Sequence, residues 1–183
     1  QPYQIELWVE KDALAGVLQP LSNTRHITLM VNRGYSSQTA MHDAYSRMRE
    51  AYSQGKTCTI LYLGDQDPSG EDMVRDISER LNDLYGTPVV IKKLAITPEQ
   101  VATYNPPPNP AKMSDTRAAK FVEEFGYNSY EVDALPPNVL VQIINNAVDE
   151  YVNQDLMDEV IEREERDKVL IREAANQIME QRE

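Results

Sequence analysis

The chain of 183 residues has one cysteine, Cys58, which excludes an internal disulfide and any cysteine-cluster zinc site. Cys58 lies in an apolar, strand-like run and reads as a buried, inert thiol. Two histidines, His26 and His42, are too few for a histidine-built metal centre. No apolar run approaches the roughly 20 residues of a membrane span. The polar opening Gln1-Pro2 lacks the basic flank of a signal peptide, so the cytoplasm is the expected compartment. The missing initiator Met points to a processed chain or, better, to a domain cut from a longer protein. Neither G-x-G-x-x-G nor a P-loop occurs, which removes the common glycine-loop phosphate sites. Basic residues are also scarce. Lys and Arg number 18 against 30 Asp and Glu, a formal charge of −12 that opposes simple electrostatic binding to nucleic acid. The deficit is uneven, since 12 acids and 5 bases lie from Asp149 onward.

A hydrophobic share of 41% is enough for a core and argues against disorder. Residues 3–9 read as a strand, 13–18 as a helix capped by Asp12, and 27–31 as a second strand. Ser36 or Ser37 opens a helix to residue 53, which Gly55 ends. Thr57–Leu63, TCTILYL, is continuously apolar and rich in β-formers, as expected of a strand buried on both faces of a parallel sheet. Ser69 starts a helix to about residue 85 with Met73, Ile77, Leu81 and Leu84 on one face, closed by Gly86. Residues 89–96 form the next strand. This alternation predicts an α/β domain with a mainly parallel sheet flanked by helices.

Thereafter the pattern changes. Thr97-Pro98-Glu99 begins a short helical turn, and Asn105 to Pro110, NPPPNP, reads as a stiff extended loop. Ser114 or Asp115 caps a helix to Phe125, residues 130–132 read as a short strand, and Pro136-Pro137 opens a helix to residue 152. A charged helix with a weak apolar stripe fills the rest. Its heptad phase breaks near Glu164 and Asp167, so it is no lasting coiled coil, although the stripe suits self-association, for instance in a homodimer.

Three acids stand out by position. Glu10 directly follows the first strand, and Asp65 and Asp67 follow the third, behind Gly64. In an open parallel sheet, ligands bind beyond the carboxyl ends of the strands, so two strands deliver carboxylates to one edge. Hard oxygen ligands suit Mg²⁺ or Mn²⁺, with waters and substrate phosphate completing the shell. Pro68 stiffens the turn, Ser69 is placed to cap the next helix, and that helix N-terminus favours an anion at the same edge.

Glu10-Lys11 after one strand and Asp65-Gln66-Asp67-Pro68-Ser69-Gly70 after another resemble the Toprim family of topoisomerases, primases, nucleases and recombination proteins. The Asp-x-Asp-Pro-x-Gly form is most similar to the topoisomerase VI A subunit. Residues 3–96 carry the likeness. Three later segments, Thr97-Pro98-Glu99-Gln100, Asn109-Pro110-Ala111-Lys112 and the run from Glu131 to Pro137, look like parts of uncharacterised bacterial and phage relatives of that subunit. The resemblance implies a Rossmann-like Toprim core over residues 1–96. Residues 97–152 would complete the α/β domain with the Pro-rich loop, and 153–183 would form the helical extension. It further implies that Glu10 serves as general acid/base or ligand, that Asp65 and Asp67 hold Mg²⁺, and that the substrate is DNA. In type VI enzymes the nucleophilic tyrosine sits on a separate winged-helix domain before Toprim. None precedes Gln1, so a fragment lacking half its active site, dependent on such a domain or a partner subunit, is expected beside a lone Toprim nuclease using activated water.

Further candidates are Asp133, with Glu131, as an additional ligand or as a turn and cap before Pro136. Lys11, Arg33 and Ser69 are candidate DNA-backbone contacts, with surface pairing or capping as the plainer reading. Lys92-Lys93 reads as a solvated pair, and Lys112, Arg117 and Lys120 as a modest basic patch. Tyr35, at the sheet edge, is a weak nucleophile candidate. Two other readings compete with DNA cleavage. One is a haloacid-dehalogenase-type phosphatase with Asp65 as nucleophile, which the third-strand position and Pro68 oppose. The other is a Toprim-like assembly module without turnover.

Overall fold

The strand–helix alternation folds as the spacing predicts, in a computed structural model that describes residues 1–31, 38–84 and 86–180. The strands β1 (Tyr3–Val9), β2 (Thr28–Val31), β3 (Thr57–Leu63) and β4 (Val89–Ala95) form one parallel sheet in the order β2-β1-β3-β4. The register pairs Val9 with both Val31 and Leu63, so the carboxyl ends of the central strands share one edge. The order matters for function. The chain runs outward from β1 to β2, then returns across β1 to place β3 and β4 on the other side. A crevice at the carboxyl ends of β1 and β3 is the usual consequence of such a reversal.

Both faces of the sheet are covered, as continuous apolar strands require. On one face lie α2 (Gln38–Ser53) and α3 (Pro68–Ser78), followed by a π-helical turn Glu79–Leu84. Met41, Ala44, Met48, Met73, Ile77 and Leu81 bury there against Trp8, Cys58, Ile60 and Tyr62. On the opposite face, α1 (Asp12–Thr24) packs on β1 and β2, and α6 (Pro137–Asp149) packs on β4. In the chain between β4 and α6 come α4 (Pro98–Tyr104), the two-residue strands β5 (Asn109–Pro110) and β6 (Asn128–Ser129), and α5 (Ala118–Phe125), which contacts α3.

Several local expectations need correction. Asp12 does not cap α1: the helix starts at Asp12 and its N-cap, Lys11, makes no side-chain cap bond. The helix also passes through Pro20 to Thr24, because Leu14, Leu18 and Ser22 form a buried stripe whose packing outweighs one missing backbone bond. The stretch after Asp67 is not one α-helix to residue 85. It widens into the π turn, where Asn82 exchanges hydrogen bonds with both backbone groups of Val89 and so ties the turn to β4. The Pro-rich run is only partly a free loop, since Asn109–Pro110 pairs antiparallel with Asn128–Ser129. Proline is tolerated on such an edge because no ladder donor is required there. The pairing falls at residues 128–129 rather than 130–132. Tyr130 makes an isolated bridge to Gln66, and Val132–Ala134 is a 3₁₀ turn. Asp115 does not cap α5, whose N-cap is Arg117; its carboxylate takes the Arg117 backbone N–H and guanidinium.

The contacts divide the chain into a unit of residues 2–151 and a second unit of Gln1 with residues 152–183. The second unit is dominated by α7 (Gln154–Glu180), whose first turn is capped by Asn153 Oδ1 accepting from Leu156 N at 3.1 Å. Its apolar residues, among them Val160, Leu170, Ile171 and Ile178, are exposed. Among the described residues, no helix is long and apolar enough to cross a membrane.

Candidate functional site

The acids gather where the sheet reverses. Backbone pairing continues just beyond the strands: Glu10 N donates to Leu63 O at 3.0 Å, and Gly64 N to Ala95 O at 2.8 Å. This fixes Glu10 beside the β3 exit. Glu10 Oε2 then accepts from the backbone N–H of Asp65 at 3.1 Å, across 55 residues of sequence. Burial raises the Glu10 carboxyl above its usual range; the Asp65 amide opposes the rise, and the charges of Asp65 and Asp67 add to it.

Asp65 is held from several sides. Its Oδ1 accepts from Val132 N at 2.8 Å and lies 3.4 Å from Lys11 Nζ. Its backbone carbonyl accepts from Lys93 Nζ at 3.0 Å. Burial raises its carboxyl too, and Val132 and Lys11 only partly offset that. Gln66 between the acids is buried and exchanges backbone bonds with Tyr130 at 2.8 and 3.0 Å, which pins the acid loop to the 128–132 segment.

Asp67 has taken the role expected of Ser69. Its Oδ1 accepts from Gly70 N at 2.6 Å and caps α3, with Pro68 at the first helical position and Ser69 already inside the helix. Two glycines permit the tight packing. A Cβ on Gly70 would stand 2.2 Å from Asp65 O, and one on Gly64 would stand 2.4 Å from the Tyr62 ring.

Among the cations, Lys11 takes the carboxylate-pairing alternative, and the other described candidates depart from expectation. Lys11 is drawn into an acidic cluster, with Nζ 2.7 Å from Glu131 and 2.6 Å from Asp133 as well as near Asp65. Burial lowers its pKa, but those hydrogen bonds outweigh it and hold the ammonium firmly protonated. Neither Glu131 nor Asp133 caps α6, whose N-cap is Pro136. Lys92 and Lys93 are not a solvated pair. Lys92 bonds Glu150 at 2.6 Å, whereas Lys93 turns inward to Glu71 at 2.6 Å and to the Asp65 carbonyl. Strand alternation signals that the two must diverge; the acid loop decides where the inner one ends. Lys112 lines a cleft of about 270 Å³ with Asp65, Asp67, Asn109, Tyr130 and Glu131. Arg117 and Lys120 line another, of about 400 Å³, between α3 and α5, so the expected basic patch is divided. Arg33, Tyr35 and the cap candidates Ser36 and Ser37 lie outside the described residues.

Among the described residues, no three acidic, histidine or cysteine side chains are grouped so that they could hold a metal ion. Glu10, Asp65 and Asp67 each direct one oxygen to a backbone N–H, and the second oxygen of each accepts no hydrogen bond from a described residue. The arrangement is a rim of hard oxygen donors next to a helix N-terminus. No protein-family model and no curated protein sequence matches the chain.

Proposed function

We propose that this chain carries a Toprim-type site for Mg²⁺- or Mn²⁺-dependent phosphoryl transfer on DNA. The observation that carries the reading is the contact between the Glu10 carboxylate, at the end of β1, and the Asp65 amide, at the end of β3. Neighbouring half-buried carboxylates with raised proton affinity are a common feature of functional sites. The donor set fits the ion: carboxylate oxygens without sulfur or imidazole suit a hard divalent cation.

Glu10, Asp65 and Asp67 would hold such a cation, which when bound stabilises charge on a phosphodiester oxygen. The chain's own groups supply the rest. Val132 and the Asp65 amide orient the carboxylates, and Lys93 fixes the acid loop through the Asp65 carbonyl. The α3 N-terminus favours an anion at that rim, and exposed Lys112 stands at the cleft to meet a phosphate. Glu10, with its raised proton affinity, is suited to take a proton from an attacking hydroxyl or water and return it to the leaving oxygen.

The test is plasmid nicking and relaxation with Mg²⁺ or Mn²⁺, comparing the wild type with Glu10→Gln, Asp65→Asn and Asp67→Asn. We expect metal-dependent cleavage that falls at least about 100-fold in each variant. A second reading, a Toprim-like binding or assembly module without turnover, draws on the Lys11 cluster, where an ammonium already neutralises Asp65. Metal uptake without any cleavage would favour it.

A further inference from the structure

Tyr62 is fully buried, and its hydroxyl is the buried side-chain polar atom that has no hydrogen-bond partner among the described residues. A phenylalanine would fill the same space without stranding a polar group, so packing alone does not account for the hydroxyl. Its location is specific. The ring lies under Gly64, immediately before Asp65, with the hydroxyl 2.9 Å from where a Gly64 Cβ would stand. Tyr62 pairs in register with Trp8, two residues before Glu10. Burial above all, and then the charges of Glu10, Asp65 and Asp67, keep the phenol protonated. The hydroxyl makes no hydrogen bond to Glu10 or to any other described residue.

We propose that Tyr62 is a positioning residue of the acid site, whose hydroxyl donates to the Glu10 carboxylate and fixes it as a ligand for a divalent cation. This rests on the cation-site reading above. Glu10 then has two donors, the Asp65 amide and the Tyr62 hydroxyl, and its remaining lone pairs face the rim. The glycine at position 64 is part of the device, because any side chain there would displace the phenol.

The test is Mn²⁺ titration by calorimetry of the full chain, its Tyr62→Phe and Glu10→Gln variants and their double variant, with thermal melts in EDTA. We expect Tyr62→Phe to lose about ten-fold in Mn²⁺ affinity while its melting point in EDTA stays equal or rises. The double variant should bind no more weakly than Glu10→Gln alone, since the hydroxyl acts through Glu10. Affinity of Tyr62→Phe within about two-fold of wild type overturns the inference and leaves the cation site standing. So does a melting point that falls in step with affinity, or a double variant that loses the full additional factor. A wild type that takes up no Mn²⁺ overturns the cation site and this inference together.

Discussion

Glu6 and Glu10 leave the same segment of chain one helical-turn's worth of residues apart, yet their surroundings differ completely. Glu6 is fully buried, and its carboxylate accepts from Trp8 Nε1 at 2.9 Å and from Arg47 Nε and Nη2 at 2.7 and 2.9 Å. A counter-charge and several donors satisfy it. Glu10 is partly exposed, receives one backbone N–H, and faces two further acids. The first arrangement is what a carboxylate needs to live inside a fold. The second sets a half-buried carboxylate beside like charges, where burial and Asp65 and Asp67 make its ionisation costly.

The contrast breaks most readily at Glu6. Arg47→Met strands a buried charge and should cost about 2–3 kcal/mol in urea unfolding, less than the roughly 3–5 kcal/mol of fully buried pairs because Arg47 is partly exposed. A loss below about 0.5 kcal/mol, the scale of an ordinary surface change, would show that Glu6 does not depend on its partner. Next comes the packing that supports the rim. Gly70→Ala places a methyl on the Asp65 carbonyl and should cost about 2 kcal/mol, with Mn²⁺ affinity falling as Asp65 shifts; an unchanged melt and affinity would mean that the loop yields freely.

Asp67 belongs to both worlds, as helix cap and as candidate ligand. Asp67→Ala should lose about 1 kcal/mol, whereas Asp67→Asn should retain most of the cap and still abolish metal-dependent nicking. Equal stability of the alanine and asparagine variants would remove the capping role.

The smallest effect is the most diagnostic. Glu10 has a folded-state pKa raised above its ordinary 4.5, so the folded chain binds its proton more tightly than the unfolded chain does. The resulting penalty on the ionised form is present above the folded pKa and disappears below the ordinary value. Stability therefore falls as pH rises through that window. Glu10→Gln should stabilise the metal-free protein by up to about 1 kcal/mol at pH 7, and the gain should vanish near pH 4. Melting curves of both proteins across that range check it; a variant less stable than wild type at pH 7 contradicts the sign.

Much of this was legible in advance. The continuous apolar run at Thr57–Leu63 marked a central strand, and the acids at the strand ends marked the rim. What escaped were the partners. The Pro-rich run and the residues after it read as irregular chain, yet Asn109–Pro110 pairs with β6, and Val132 holds Asp65 from 67 residues away. Lys93 looked solvated because its inward neighbours, Glu71 and the Asp65 carbonyl, come from a helix and a loop that no local pattern connects to β4. Ser69 looked like the cap because serine commonly is one; Asp67 won because the helix begins at Pro68, two residues before a Ser69 cap would start it.

By itself, then, the order of residues determined the four strands of the main sheet and the helices between them, through periodicity and turn chemistry that act over a few positions. It also determined which acids stand at strand ends. Only the tertiary structure decided that Lys11 neutralises Asp65, that Tyr62 lies unpartnered beneath Gly64, and that Glu6 and Glu10 live in opposite surroundings. Those outcomes depend on contacts between segments far apart in the chain, fixed by sheet order and packing, and short-range patterns carry no record of them.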